Sequence, residues 1–126
     1  MNVLVDSFGW IEYFGEGRLS EKYGQYIEKA NKSEFFTPSI VLFEVYKQIK
    51  RMQNETKALE AIAYIVSYTT VIILDENIAI EAAEKSIETG LGMADSIIKA
   101  TAEKTKAKII TSDKHFRGMK EIILVE

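Results

Sequence analysis

Hydrophobic residues along the chain follow two alternating patterns. Short, nearly continuous apolar runs occur as NVLVD at the start, FFT at 35–37, TVIIL at 70–74, KIITSD at 108–113 and EIILV at 121–125. Runs of this length, rich in β-branched residues, predict strands buried on both faces. Between them the apolar positions recur at helical intervals: Tyr23, Tyr26, Ile27 and Ala30, then Val41, Leu42, Val45 and Ile49, then Leu59, Ile62, Ala63 and Val66, and finally Ala94, Ile97, Ile98 and Ala102. Strands alternating with helices predict an α/β fold with a mostly parallel sheet covered on both sides.

The helix breakers divide the chain in the same places. Pro38 suits the first turn of a helix that begins after Thr37, Asp75 suits the cap of the helix after TVIIL, and Gly90 with Gly92 separates two helical stretches. No linker-like segment or internal repeat interrupts the pattern, so residues 1–126 are expected to form one domain.

Composition narrows the chemistry. The chain has no cysteine and a single histidine, which removes disulfides and thiolate metal sites and argues against a zinc cluster. Any metal must be held mainly by oxygen. A net charge of -3 gives no global attraction to a polyanion, so cations that meet one must act locally. The longest apolar run is too short to cross a bilayer, and the N-terminus lacks the basic and long apolar regions of a signal peptide, so the expected location is the cytoplasm, with no membrane partner.

In parallel sheets ligands bind beyond the carboxyl ends of the strands, where the strand order reverses. Asp6 follows the first strand and Asp113 follows KIITS, so the two converge if those strands are neighbours. Each also reads as a cap, Asp6 for a helix over 7–14 and Asp113 for the turn SDKHF. Asp95 falls at the edge of its helix stripe, one turn before Lys99, and reads either as an exposed ion pair or as a carboxylate leaning over the sheet rim. Glu44 falls on the polar side of its helix with Lys47, Gln48 and Arg51, which is either a solvated face or the mouth of a cleft. Carboxylates gathered in one cleft repel one another unless a cation neutralises them, and hard oxygen ligation selects Mg²⁺ or Mn²⁺. Magnesium held by carboxylates commonly serves phosphoryl chemistry.

These stretches resemble the motifs of PIN-domain proteins. VLVDSFGWIEYF is similar to the first motif, PSIVLFEV to the second, GMADSIIKATA to the third and KIITSDKHF to the last, in order over essentially the whole chain. The length fits the short VapC-type toxins of toxin-antitoxin pairs. The resemblance implies a three-layer α/β/α sandwich around a sheet of about five strands, and a Mg²⁺- or Mn²⁺-dependent endoribonuclease. It carries the acidic roles onto Asp6, Glu44, Asp95 and Asp113, with Ser7 and Thr111 as supporting hydroxyls. In many relatives a further acid stands two positions after the last aspartate; here that position is His115.

The resemblance further implies an RNA substrate, a small antitoxin that blocks the acidic cleft, and a homodimer formed through apolar residues of the early helices. Candidate RNA contacts are Lys47 and Arg51, with Lys50 nearby, and Lys114, His115 and Arg117. The alternative within the same family is a scaffold that binds RNA or protein without turnover. Two other acidic α/β folds fit less well: a receiver domain needs a lysine after its fifth strand, and a haloacid-dehalogenase phosphatase begins Asp-x-Asp where this chain has Asp6, Ser7 and Phe8.

Overall fold

The computed structural model describes the whole chain, Met1–Glu126. Its elements are β1 (Val3–Val5), α1 (Ser7–Phe14), α2 (Ser20–Ile27), β2 (Phe35–Pro38), α3 (Ser39–Met52), α4 (Glu55–Tyr68), β3 (Thr70–Ile72), α5 (Glu76–Thr89), α6 (Met93–Thr105), β4 (Lys108–Thr111) and β5 (Ile122–Leu124). The strands form one sheet in the order β3-β2-β1-β4-β5, with every neighbouring pair parallel. Each strand run found in the sequence is present, and the fold is the α/β sandwich expected. No helix is long and apolar enough to cross a membrane.

Strand β1 is central, and Val3, Leu4 and Val5 are all buried, as a run without polar alternation requires. From β1 the chain steps outward to β2 and β3, then returns to place β4 on the other side of β1. The strand order therefore reverses between β1 and β4, where Val5 pairs with Ile110. The sequences just beyond these two strands are brought side by side, which places Asp6 and Asp113 at one rim of the sheet.

The main core gathers side chains from β1, β2, β4, the first four helices and α6, among them Trp10, Tyr23, Phe35, Ile65 and Ile98. A smaller cluster, Ile78, Ala82, Ile97 and Ala100, joins α5 to α6 and packs on Ile40 and Ile72. Gly9 lets α1 come down onto this core. A Cβ there would lie 2.3 Å from the Tyr23 ring and 2.7 Å from Val5 Cγ1.

Several local expectations shift. Helix α4 forms, but its core face is Ala58, Ala61 and Ile65, while Leu59 and Val66 are 53% and 46% exposed. The alanines allow close packing of α4 against α3, and the larger apolar residues turn outward. In α3 the buried stripe is Val41, Val45 and Ile49, and Leu42 is only half-buried. Pro38 ends β2 and occupies the cap position of α3 rather than its first turn, since its fixed φ of -63° is compatible with an extended ψ of 141°. Ala30 lies beyond the end of α2, and β3 stops at Ile72, leaving Ile73 and Leu74 exposed past the edge strand. Asp75 caps α5 by accepting from the Ile78 N–H at 2.9 Å, and Gly90 ends that helix with a φ of 78° that disfavours a side chain. These two breakers act as the sequence indicates.

Candidate active site

Asp6 leaves β1 as its main-chain N–H donates to the Ile110 carbonyl at 3.3 Å. Its Oδ1 accepts from the Gly9 N–H at 2.8 Å, so it caps α1. Its Oδ2 accepts from Thr111 Oγ1 at 2.5 Å, and the Tyr23 hydroxyl donates to Oδ1 at 3.4 Å. The cap reading and the cleft reading of Asp6 both hold. Burial pushes its carboxyl up to about 6, with Asp113 adding to the rise and the bonds from Thr111, Gly9 and Tyr23 opposing it.

One cleft of about 380 Å³ is lined by Asp6, Glu44, Asp95 and Asp113 together with Ser7. Phe8, Ile98 and Ser112 complete the wall, and no lysine or arginine contributes to it. Asp6, Glu44, Asp95 and Asp113 converge here from four separate parts of the chain.

Glu44 is not on a fully solvated face. It is half-buried, and Ser7 Oγ donates to its Oε1, because α1 lies across α3 and carries Ser7 to it. Asp95, in the first turn of α6, is also half-buried. The exposed pair with Lys99 does not form; Lys99 bonds Glu103 instead at 3.3 Å. Burial first, and then the negative charges of Asp113 and Glu44, push the Asp95 carboxyl up to about 6.

Asp113 is fixed from both sides. Its N–H donates to Thr111 Oγ1 at 3.0 Å, and its Oδ1 accepts from the His115 N–H at 2.9 Å, so it does cap the short turn as the sequence suggests. The His115 ring is exposed, with Nδ1 3.0 Å from Asp113 Oδ1. One donor atom each from Asp95, Asp113 and His115 lie within 4.8 Å of one another. Thr111 thus donates to Asp6 and Ser7 to Glu44, so each hydroxyl orients an acid of the cleft.

The cations divide. Lys47 Nζ lies 5.6 Å from the Phe43 ring centre, Lys50 packs over Tyr46, Arg51 is exposed, and none of the three lines the cleft. Lys114 and Arg117 line a neighbouring groove together with Arg18. Sequence spacing assigned Tyr23 to a core stripe and gave no signal that its hydroxyl reaches Asp6 and, at 3.0 Å, Ser112. Phe8 and Ser112 were not singled out either, although each stands next to a hydroxyl or acid of a recognised motif.

The PIN domain family model matches residues 3–122. The chain belongs to the PIN domain family. No curated protein matches this sequence. Among solved structures, the PIN domain is similar to a Klebsiella pneumoniae toxin-antitoxin complex, at 23% identity and a TM-score of 0.79 over 97% of this chain and 96% of that one. It is also similar to VapC20 of Mycobacterium tuberculosis, described as a sarcin-ricin loop cleaving toxin, at 15% identity and a TM-score of 0.82 over 99% and 100% of the two chains. A VapBC-1 structure from nontypeable Haemophilus influenzae matches at 21% identity and a TM-score of 0.67, over 100% and 98%. At these identities the likeness is one of fold.

The donor set of the cleft suits a hard divalent cation. Its acids are oxygen donors with no lysine or arginine partner; Asp6, Glu44 and Asp113 are oriented by hydroxyls and main-chain N–H groups, and Asp113 also lies beside the His115 ring. The carboxyls of Asp6 and Asp95 are raised by burial first and then by neighbouring carboxylates, Asp113 for both and Glu44 for Asp95, a repulsion that a bound cation would relieve.

Proposed function

We propose that this PIN domain is a Mg²⁺- or Mn²⁺-dependent endoribonuclease, the toxin of a type II toxin-antitoxin pair acting in the cytoplasm. The observation that carries the proposal is the convergence of Asp6, Glu44, Asp95 and Asp113 in one cleft that contains no lysine or arginine. Support for the toxin assignment comes from family membership and from the toxin and toxin-antitoxin structures that share the fold over nearly the whole chain.

In this reading Asp6 and Asp95 hold the ion, and Glu44 and Asp113 complete its surroundings. Ser7 orients Glu44, and Thr111 orients both Asp6 and the backbone that carries Asp113. The ion supplies charge neutralisation, a lowered pKa for water and Lewis acidity toward a phosphodiester. The acids set the position of the reacting phosphate in a cleft open at the sheet rim. Hydrolysis forms a bond from water oxygen to phosphorus and breaks the bond to the 3′ oxygen, leaving a 5′-phosphate and a 3′-hydroxyl. Lys47, Arg51, Lys114, His115 and Arg117 are the proposed RNA contacts outside the cleft. A small antitoxin covering the acids would keep the nuclease silent, and a homodimer would cover exposed apolar residues of the early helices such as Phe43, Leu59 and Val66.

Mn²⁺ calorimetry on the wild type, Asp6→Asn and Asp95→Asn tests the site, with circular dichroism to confirm that the variants fold. Binding by the wild type and loss in both folded variants is the expected result. Equal binding by the variants would reduce these carboxylates to caps and surface charges. Digestion of total RNA with Mg²⁺ and with chelator then tests turnover.

A further inference from the structure

Asp95 and Asp113 line the same cleft, near enough for Asp95 to meet Asp113 both by charge and by side-chain hydrogen bonding. The lysines closest to them in sequence do not neutralise the pair. Lys99, one turn after Asp95 on α6, bonds Glu103, and Lys114, directly after Asp113, lines the neighbouring groove with no carboxylate at salt-bridge distance. What meets the two acids instead is the ring of His115.

The spacing of the three donors fits a single ion. Adjacent ligands of an octahedral cation, each about 2.1 Å from it, stand about 3 Å apart, and opposite ligands about 4.2 Å apart. His115 Nδ1 lies 3.0 Å from Asp113 Oδ1, and one donor each from Asp95, Asp113 and His115 fall within 4.8 Å of one another. Asp113 Oδ1 also accepts from the His115 main-chain N–H at 2.9 Å, so the turn that carries the ring holds it against the acid. Asp6 is not of this trio, and its oxygens already accept from Gly9, Tyr23 and Thr111. Without an ion, the ring contact is a hydrogen bond from Nδ1–H to the carboxylate. With one, the proton passes to Nε2 or to water, the side chain being 79% exposed, and the freed lone pair of Nδ1 faces the cation.

We infer that His115 is a metal ligand, completing with Asp95 and Asp113 a mixed nitrogen and oxygen site that favours transition-metal divalent cations over Mg²⁺. An imidazole nitrogen adds affinity along the series from Mn²⁺ through Co²⁺ to Ni²⁺, whereas Mg²⁺ prefers oxygen and gives up its water reluctantly. A carboxylate at this position would add charge and an oxygen donor, and would strengthen Mg²⁺ binding instead. The inference deepens the nuclease reading and takes from it only that a divalent cation occupies the cleft. His115 then serves the ion first and meets RNA through it.

The test uses tag-free protein, because His115 is the only histidine of the chain and any imidazole signal must come from it. Electron spin-echo envelope modulation of the Mn²⁺-loaded protein should show a directly bonded imidazole nitrogen, and the coupling should vanish in His115→Ala and His115→Asp. Calorimetry should find Co²⁺ binding weakened about tenfold in His115→Ala and Mg²⁺ binding changed less than about threefold, so the ratio of the two affinities falls. His115→Asp should lower that ratio further by strengthening Mg²⁺ binding. A purely structural role would leave the ratio untouched, since the turn is capped through the His115 main-chain N–H, which both variants keep. Mn²⁺ bound to the wild type without direct nitrogen coupling, or an unchanged ratio in His115→Ala, overturns the inference and leaves the nuclease reading intact. No Mn²⁺ binding by the wild type overturns both. Nitrogen coupling in a protein that digests no RNA supports His115 as a ligand and sinks the nuclease reading.

Discussion

Thr111 Oγ1 donates to Asp6 Oδ2 at 2.5 Å, tying together the carboxyl ends of β4 and β1 across 105 residues of sequence. The same oxygen accepts from the Asp113 N–H at 3.0 Å, so one buried hydroxyl orients two acids of the cleft. Thr111→Val preserves shape but removes both bonds. It leaves Asp6 without its strongest opposing influence against burial, so the carboxyl rises further. Loss of a group that orients a metal ligand typically costs 10–100-fold in affinity, and Mn²⁺ titration of Thr111→Val should show a loss of about that size. Thr111→Ser should stay within a few fold of wild type. Equal Mn²⁺ affinity in the valine variant would show that the hydroxyl only fills space.

The raised carboxyls give the metal-free protein an unusual dependence on pH. Asp6 has an ordinary value of 3.8 and is pushed to about 6 in the fold. Between those values the native state binds more protons than the unfolded chain, so unfolding free energy falls as pH rises from about 4 to about 6 and levels above that. For Asp6 the full span is on the order of 3 kcal/mol, at 1.36 kcal/mol for each pKa unit. Asp95 acts in the same direction. Asp75, held low first by the Ile78 N–H, acts in the opposite sense, but its window lies below the ordinary carboxylate range. Chemical denaturation in EDTA should therefore find the protein more stable at pH 5 than at pH 7.5. Asp6→Asn should flatten much of the difference and raise stability at pH 7.5. A wild-type midpoint that increases from pH 5 to pH 7.5 would contradict the assignment.

Gly9 connects the core to the site. A methyl group there would meet the Tyr23 ring at 2.3 Å and Val5 Cγ1 at 2.7 Å, and Tyr23 in turn reaches both Asp6 and Ser112. Gly9→Ala forces either α1 off β1 or the Tyr23 ring aside. Overpacking of this kind costs about 1–3 kcal/mol despite alanine's better helix propensity. Urea denaturation should show that loss. Tyr23→Leu in the Gly9→Ala background should recover part of it, because a smaller side chain leaves room for the methyl. If Gly9→Ala is neutral or stabilising, the contact is softer than its distances indicate.

The sheet and the acids were legible in the sequence for a physical reason. A parallel strand buried on both faces has no freedom to alternate, so NVLV and KIIT stand out, and the topology then delivers whatever follows them to one rim. Asp6 and Asp113 follow directly from that logic. Glu44 does not, because periodicity relates a helical residue to its own helix axis. It carries no information about α1 crossing α3 and bringing Ser7 to the carboxylate. The outward stripe of α4 has the same origin: Leu59 and Val66 look like core by hydrophobicity, but Ala58 and Ala61 meet α3 because they are small. Tyr23 is a core ring whose hydroxyl has a separate destination, which spacing alone cannot express.

Metal binding and protonation should be linked through the same acids. At pH 6, Asp6 and Asp95 are each near half-protonated, since both carboxyls lie at about 6. A divalent cation requires their ionised forms, so its binding must expel the protons they carry. Two half-occupied groups release about one proton together, and at pH 8 the release should be near zero. Mn²⁺ calorimetry in buffers of different ionisation enthalpy reads this number from the slope of observed heat against buffer heat. Asp6→Asn, if it retains measurable binding at high Mn²⁺, should release about half as many protons at pH 6. Affinity should also weaken steadily from pH 7 to pH 5 in the wild type. A pH 6 slope of zero with tight binding would mean that the ion sits away from Asp6 and Asp95, and that their raised values reflect burial alone.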